Sequence, residues 1–377
     1  MIPAVSVHFS ADDRAEILAK IEKRLASGYL SQGENVDELE AKFAAYVGAR
    51  HALTVSSGGA GLEAAMRTLK IAGKDVVIPT NTFFATAAAV LAAGGRVRLA
   101  DIDGDTLSLS VKSLTQAITR ETVGVIVVHI GGIISSDLLA IRDFCQERGL
   151  WLFEDCAHAH GSELSGRRAG TFGIGGSYSL FSTKVITAGE GGVVVTNDDH
   201  MAAQIRLLRD YGKPSRWISS SVQFGLNWRL NELAAIVGVA QLRRLDEFIA
   251  WRERIAALYN RELAGTQSLR LIRPRDRSSW YKYIVKLPPL IARERATALM
   301  RERGVELSGG VYEIPLHRQP VFAGQFDIKC FPSADEFCAR HVCLPLYYGM
   351  KDDDARYVAR TFKDVVAELS TAGEGAR

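Results

Sequence analysis

Trp151-Leu152-Phe153-Glu154-Asp155-Cys156-Ala157-His158-Ala159-His160-Gly161 joins an apolar run of strand length to two acids, and then to small residues that let something flat lie close to the backbone. Working outward, further apolar runs of strand length stand at Val76–Pro79, Val97–Asp101, Val123–His129, Ser177–Ser182 and Val193–Thr196, with helical spacing between several of them. Strands alternating with helices predict an α/β fold with a mainly parallel central sheet. Ligands of such sheets collect beyond the carboxyl ends of the strands, so His129, Asp155 and the region of Lys184 are the first candidates for chemistry.

From Asn231 to about Leu263 one or two long helices are expected, with Ile236, Ala240, Leu245, Ile249 and Ile255 at helical spacing and Gly265 as a stop. A lobe boundary fits there, giving a large domain over 1–250 and a smaller α+β domain over 251–377. Strand-like Tyr281–Leu287 and helical patterns at Ala292–Arg303 and Asp353–Leu369 furnish the second lobe, and the residues after Leu369 read as a fraying tail.

The 377 residues are 47% hydrophobic and 24% charged, which supplies a large core and excludes disorder, collagen and coiled coil. Forty-six basic against 43 acidic residues leave a net charge of +3, which gives no general electrostatic case for nucleic acid. The longest mostly apolar run, Val123–Ile134, is too short to span a bilayer and contains His129, so no membrane partner is expected. Neither a secretory signal nor a transit peptide is evident at the start. Five scattered cysteines, Cys145, Cys156, Cys330, Cys338 and Cys343, suit a reducing cytoplasm. Cys338, His341 and Cys343 lack the short spacing of a zinc site, and His158 and His160 lack an accompanying carboxylate or cysteine cluster, so no metal is expected.

Three segments carry chemistry. Ser56-Ser57-Gly58-Gly59-Ala60-Gly61 precedes a helix, where small residues let backbone amides and the helix start meet an anion; a Ser-capped helix after a glycine turn reads equally from the same residues. No Walker lysine follows, which argues against a P-loop. Asp155, buried at a strand end, needs a donor or cation, which a protonated pyridine nitrogen, a helix cap or an ion pair would each provide. Lys184, between Ser179-Leu180-Phe181-Ser182-Thr183 and Ala188-Gly189-Glu190-Gly191-Gly192, reads either as an amine nucleophile or as a snorkelling surface lysine. A phosphate cradle, an aspartate about a hundred residues on and a lysine some thirty beyond match what pyridoxal phosphate requires.

With Gly28-Tyr29-Leu30-Ser31-Gln32-Gly33, Pro79-Thr80-Asn81-Thr82-Phe83-Phe84-Ala85-Thr86 and Phe224-Gly225-Leu226-Asn227-Trp228-Arg229-Leu230-Asn231-Glu232, these segments resemble the DegT-type sugar aminotransferases over nearly the whole chain. The resemblance implies a fold-type I pyridoxal-phosphate transferase, similar to aspartate aminotransferase in architecture. It implies Lys184 as the Schiff-base lysine, Asp155 at the ring nitrogen, Phe83 and Ala157 on the two ring faces, and His158 near the ring hydroxyl. Ser57, Gly58, Gly59 and Ser179 would hold the phosphate, with Asn227 reaching it from a neighbouring subunit, which implies a homodimer with shared sites. Tyr312-Glu313-Ile314-Pro315-Leu316-His317 resembles a substrate-side segment, and Tyr312, His317 and Arg229 are the substrate candidates.

By the same resemblance L-glutamate would load the cofactor as pyridoxamine phosphate, and a nucleotide-linked keto-sugar would take the amine. Thr187-Ala188-Gly189-Glu190-Gly191-Gly192 is similar to the loop of enzymes that aminate C4, which favours dTDP-4-keto-6-deoxy-D-glucose as acceptor and dTDP-4-amino-4,6-dideoxy-D-glucose as product. C3 keto-sugar and aminocyclitol aminotransferases are the alternative, and a catalytically silent regulatory relative is the rival of a different class. The chain departs from the family pattern at Gly59, where relatives usually have Thr, at Ile174, where Asp is common, and at Gly131-Gly132.

Overall fold

The computed structural model describes residues 1–215, 217–266 and 269–374, with the side chains of 372–374 outside that description. A seven-stranded sheet forms the centre, built from β1 (His51–Val55), β2 (Asp75–Pro79), β3 (Arg96–Ala100), β4 (Thr122–Val128), β5 (Trp151–Asp155), β8 (Gly175–Ser179) and β9 (Gly192–Thr196); a short hairpin of β6 (Glu163–Leu164) and β7 (Arg167–Arg168) lies between β5 and β8 in the chain. The order is β1-β9-β8-β5-β4-β2-β3. Pairing is parallel from β8 through β3, whereas β9 runs antiparallel to both β8 and β1. The expected α/β class with a mainly parallel sheet is therefore observed, with β9 as its one reversed strand.

Two departures from the expected strands have physical causes. The strand expected at Ser177–Ser182 is β8, shifted two residues earlier at its start and ending at Ser179. Its opening glycines look like a loop in sequence, yet they are strand residues because a Cβ on Gly175 would lie 2.5 Å from the Val195 carbonyl oxygen and one on Gly176 would lie 2.6 Å from the Gly170 Cα. β1 falls before the first expected strand; its four buried positions Ala52–Val55 pack against α2 (Glu34–Val47) and β9.

Helices α3 (Gly58–Thr68), α4 (Phe84–Ala92), α5 (Val111–Ala117), α6 (Leu138–Glu147) and α7 (Asp199–Leu208) accompany the sheet, and α1 (Ala11–Ser27) and α2 pack on α8 (Glu232–Arg243). The long helical stretch after Asn231 divides into α8 and α9 (Leu245–Glu262), and the expected junction at residue 250 falls inside α9. A three-stranded antiparallel sheet, β10 (Arg270–Leu271), β11 (Tyr283–Lys286) and β12 (His341–Leu344), follows with α10 (Arg293–Glu302), α11 (Pro332–Arg340) and α12 (Asp352–Glu374). α12 continues past Leu369, where a tail is expected, and Gly375–Arg377 lie outside the described residues.

One buried carboxylate ties the start of the chain to α8. Glu232, with no exposed surface, accepts from the backbone N–H groups of Gly33 (2.9 Å), Asn35 (3.1 Å) and Val36 (3.0 Å) and from Asn35 Nδ2 (2.7 Å). These are the amides that the start of α2 leaves without intrahelical acceptors, so an acid 196 or more residues away serves as its cap. A Cβ on Gly33 would sit 2.8 Å from the same carboxyl group, which is why glycine stands there. Glu232→Ala strands several buried donors at once, and urea denaturation should show a loss of about 3 kcal/mol with an unchanged denaturant slope.

Candidate active site

The carboxyl ends of β4, β5 and β8 lie side by side at the centre of the sheet, with β5 between the other two. Ligands of an open α/β sheet bind in the crevice outside such strand ends. Asp155 ends β5 and is buried. Its Oδ2 accepts from Thr86 Oγ1 at 2.8 Å and its Oδ1 from the Ala157 N–H at 3.1 Å. Thr86 has one proton and gives it to Asp155, so Thr82 Oγ1, 2.8 Å away, donates to Thr86 in turn. Burial raises the Asp155 carboxyl above its usual range, against the pull of those two donors and of the Lys184 and His129 charges.

Lys184 is carried by a loop tied at its base. Leu180 N–H donates to the Gly191 carbonyl, Ala188 N–H donates to the Leu180 carbonyl at 2.9 Å, and Thr187 Oγ1 donates to that same oxygen at 3.0 Å. Val185 and Ile186 are buried beneath, so the loop is anchored and Lys184 is not a snorkelling surface residue. Its Nζ lies 4.9 Å from the ring centre of Tyr281. Burial pulls the ammonium pKa down to about 8; the Asp155 charge opposes that fall and the Lys282 charge adds to it.

His158 is buried and uncharged, since burial and the nearby Lys184 and Lys282 charges hold its pKa well below the ordinary value. Its Nδ1 accepts from the Gly131 N–H at 3.3 Å, so the ring proton sits on Nε2, 3.4 Å from the Tyr312 hydroxyl. Phe83, Tyr312, His158 and Tyr281 form a run of stacked rings with centre distances of 6.5, 5.7 and 4.3 Å. Phe83 itself is 63% exposed and caps α4, while Ala157 follows Asp155 by two residues.

Ser57 is the N-cap of α3, its hydroxyl accepting from the Ala60 N–H at 3.1 Å. The first amides of the helix, those of Gly58 and Gly59, have no intrahelical acceptor. The Ser-capped helix is observed, and its first amides are left open toward the end of β8. A Cβ on Gly58 would approach the Ser179 Cβ to 3.0 Å, so glycine lets the helix start close on the end of β8. A Cβ on Gly59 would meet only ordinary contacts, Ala85 Cβ at 3.5 Å and Ser57 Oγ at 3.8 Å. A buried carboxylate short of a cationic donor, a lysine of lowered pKa, a glycine cradle at a helix start and an aromatic face fit pyridoxal phosphate in charge, shape and chemistry.

The remaining sequence candidates occupy different surroundings. His317 Nδ1 is 2.7 Å from Thr80 Oγ1 and its Nε2 is 3.0 Å from Asp335 Oδ1, which leaves neither nitrogen free. Arg229 pairs with Asp210 at 2.6 Å. Asn227 is exposed on a segment whose flanking amides, those of Leu226 and Trp228, donate to Leu208 and Arg209 at the end of α7.

Sequence reasoning missed Thr86 as the partner of Asp155, and it missed the role of Glu154. The Glu154 carboxylate points away from Asp155, as neighbouring strand residues do, and accepts from the N–H groups of Gly170 (2.7 Å), Phe172 (2.7 Å) and Gly173 (3.2 Å) while meeting His129 Nε2 at 2.9 Å. His129, Glu154 and Cys156 cluster as metal ligands could, but those four contacts already use the carboxylate. The only legible signal was the pair of acids closing the strand.

Comparison with known proteins agrees with this geometry. Residues 11–363 match the model of the DegT/DnrJ/EryC1/StrS aminotransferase family. The chain is 32% identical to GDP-perosamine synthase of Vibrio cholerae, over 97% of this chain and 99% of that protein. It is 34% identical to dTDP-4-dehydro-2,3,6-trideoxy-D-glucose 4-aminotransferase of Saccharopolyspora spinosa, over 93% and 94%. The crystal structure of S. venezuelae DesV in complex with a ketimine intermediate superposes with a TM-score of 0.91 at 30% identity, covering 97% of this chain and 98% of DesV. Enzymes of this family depend on pyridoxal phosphate, and no described helix is long and apolar enough to cross a membrane. A catalytically silent relative is thereby set aside: the chain belongs to the DegT/DnrJ/EryC1/StrS family and is a sugar aminotransferase.

Proposed function

We propose that the protein moves the amino group of L-glutamate to C4 of a nucleotide-linked 4-keto-6-deoxyhexose, with dTDP-4-keto-6-deoxy-D-glucose as acceptor and dTDP-4-amino-4,6-dideoxy-D-glucose as product. The observation that carries the reading is that Asp155 and Lys184 lie near enough at one crevice for each charge to shift the other's pKa, a buried carboxylate and an amine of pKa about 8. Bound pyridoxal phosphate supplies the electron sink on which an amine can be exchanged between carbon skeletons. Asp155 would accept a hydrogen bond from the protonated ring nitrogen, which keeps the proton on the nitrogen and satisfies the carboxylate's own burial. Lys184 Nζ anchors the group and, once freed, carries the proton between the substrate carbon and the cofactor carbon. Phe83 and Ala157 confine the ring from its two sides, and His158 offers its Nε2 proton to the ring hydroxyl.

The Gly58 and Gly59 amides, with Ser57 and Ser179, receive the phosphate at the start of α3. A homodimer completes the site, with the exposed Asn227 reaching the neighbouring subunit's phosphate. Tyr312 stands on the substrate side of the ring stack, whereas the Thr80 and Asp335 partners of His317 leave its ring no free nitrogen for a substrate. C4 rests on the Thr187–Gly192 loop and agrees with the C4 activity named for the S. spinosa relative; the GDP-sugar named for the V. cholerae relative makes the nucleotide the part to test first.

Visible spectroscopy tests the reading. The lysine-bound cofactor absorption should bleach with L-glutamate and return with dTDP-4-keto-6-deoxy-D-glucose, and Lys184→Ala should give no borohydride-trapped adduct and no turnover. Bleaching without return would move the acceptor to a GDP-sugar, a 3-keto sugar or a cyclitol. An unreactive wild-type enzyme would end the proposal.

Two further outcomes follow from the site. The rate of cofactor capture by cofactor-free protein should rise about tenfold per pH unit below pH 8 and level off above it, because only neutral Lys184 attacks and its pKa is lowered, not raised; stopped-flow absorbance across pH 6 to about 10 reads this. Gly59→Thr should fit without backbone strain, since its Cβ meets contacts of 3.5 Å and longer. The added hydroxyl should slow cofactor loss on dialysis by about tenfold or more, in line with one hydrogen bond to a charged group.

A further inference from the structure

Lys282 is a cation beside the crevice that the reading above does not use. It stands just before β11, and its backbone N–H donates to the Gly131 carbonyl at 3.2 Å, in the loop that follows β4. Ile284, two residues on and so on the same face of the extended chain, belongs to the hydrophobic core that also contains Ile126 and Val128 of β4, which turns this face toward the large sheet. The Lys282 Nζ lies 5.1 Å from the centre of the Tyr281 ring, the same ring that Lys184 Nζ approaches at 4.9 Å and that His158 stacks upon at 4.3 Å.

No carboxylate of the described residues pairs with either ammonium group, whereas most lysines and arginines of the chain that touch an acid do so on the outer surface. The other groups facing Lys282 are Cys343, Arg252, His158 and Tyr281, none of them an anion at neutral pH. A largely buried ammonium group with only an aromatic ring for company is poorly compensated for the water it has lost. Its like charge adds to the depression of the Lys184 pKa, so the free enzyme holds two mutually repelling cations against a single buried carboxylate.

We infer that Lys282 is a substrate-binding residue that pairs with an oxyanion of the substrate, a carboxylate of the amino donor or a diphosphate oxygen of the sugar nucleotide. Both substrates of the proposed reaction are anions, so the inference rests on that reading for which molecule brings the charge. An arriving oxyanion gains a charge-assisted hydrogen bond from Lys282 and relieves the repulsion with Lys184. Tyr281 fixes the distance between the two ammonium groups by lying against both. The Thr183 hydroxyl, 3.3 Å from the Tyr281 hydroxyl, ties that ring to the lysine loop.

Calorimetric titration of the holoenzyme with glutarate, a dicarboxylate with no amine to transfer, and separately with dTDP tests this without turnover. K282Q should weaken one of the two by about tenfold or more and leave the other unchanged, with K282R close to wild type. Loss for glutarate assigns the donor's carboxylate to Lys282, and loss for dTDP assigns the diphosphate. Unchanged binding of both probes to a K282Q protein that melts at the wild-type temperature overturns the inference. Equal weakening in K282R and K282Q also overturns it, because a shape requirement and not a charge would then be at work. A wild-type holoenzyme that binds the probes and moves no amine sinks the aminotransferase reading alone, so the two failures are distinct.

Discussion

A carboxylate buried at the end of the central strand is the constraint around which this molecule is arranged. Asp155 is held by one hydroxyl and one amide, which is less than an ionised carboxylate needs away from water, and burial accordingly raises its pKa. Thr86 and the Ala157 amide each give one hydrogen bond, one to each carboxylate oxygen. A protonated ring nitrogen is a cationic donor of the right kind to complete the set.

Holding that deficit in place requires rigid surroundings, which the structure provides by close approach. Glu154, the preceding residue, turns to the opposite side of the sheet and binds three backbone amides and His129, so the end of β5 cannot twist to relieve Asp155. At the start of β9 and within α3 glycine does similar work. A Cβ on Gly192 would lie 2.4 Å from the Ser57 carbonyl carbon, and one on Gly61 would lie 2.4 Å from Ser177 Oγ. The start of α3 is thus pressed onto β8 and β9, which sets its free amides beside the strand that leads to Lys184.

This division explains what was legible in the sequence. Asp155, Lys184 and the Ser57–Gly59 segment could be named because each is a chemical group at a strand or helix end, and strand ends are visible as the limits of apolar runs. β8 was harder, because Gly175 and Gly176 look like loop residues unless the crowding of neighbouring backbones is known. Glu232 and Glu154 were beyond reading, since their meaning is a set of backbone amides brought from as far as residue 33 or from the turn at 170–173. Thr86 stood in the quoted aromatic segment, yet nothing local to it announces a partner 69 positions later. Local chemistry is written in composition, and long-range satisfaction of polar groups is not.

The electrostatic balance of the crevice then bears on the order of events in catalysis. Before substrate arrives, Lys184 and Lys282 both lie against Tyr281, and Asp155 is the one anion that raises the Lys184 pKa. If Asp155 is engaged by a ring nitrogen, its charge is partly spent and the Lys184 amine is left easier to deprotonate, which suits capture of a carbonyl carbon. A substrate oxyanion beside Lys282 works in the opposite direction, because it cancels the charge that had been repelling a proton from Lys184. With such an oxyanion in place the amine would hold a proton more readily than in its absence. If Lys184 acts first as nucleophile and then as proton carrier, as proposed, the placement of Lys282 would supply the change of basicity that the two steps need.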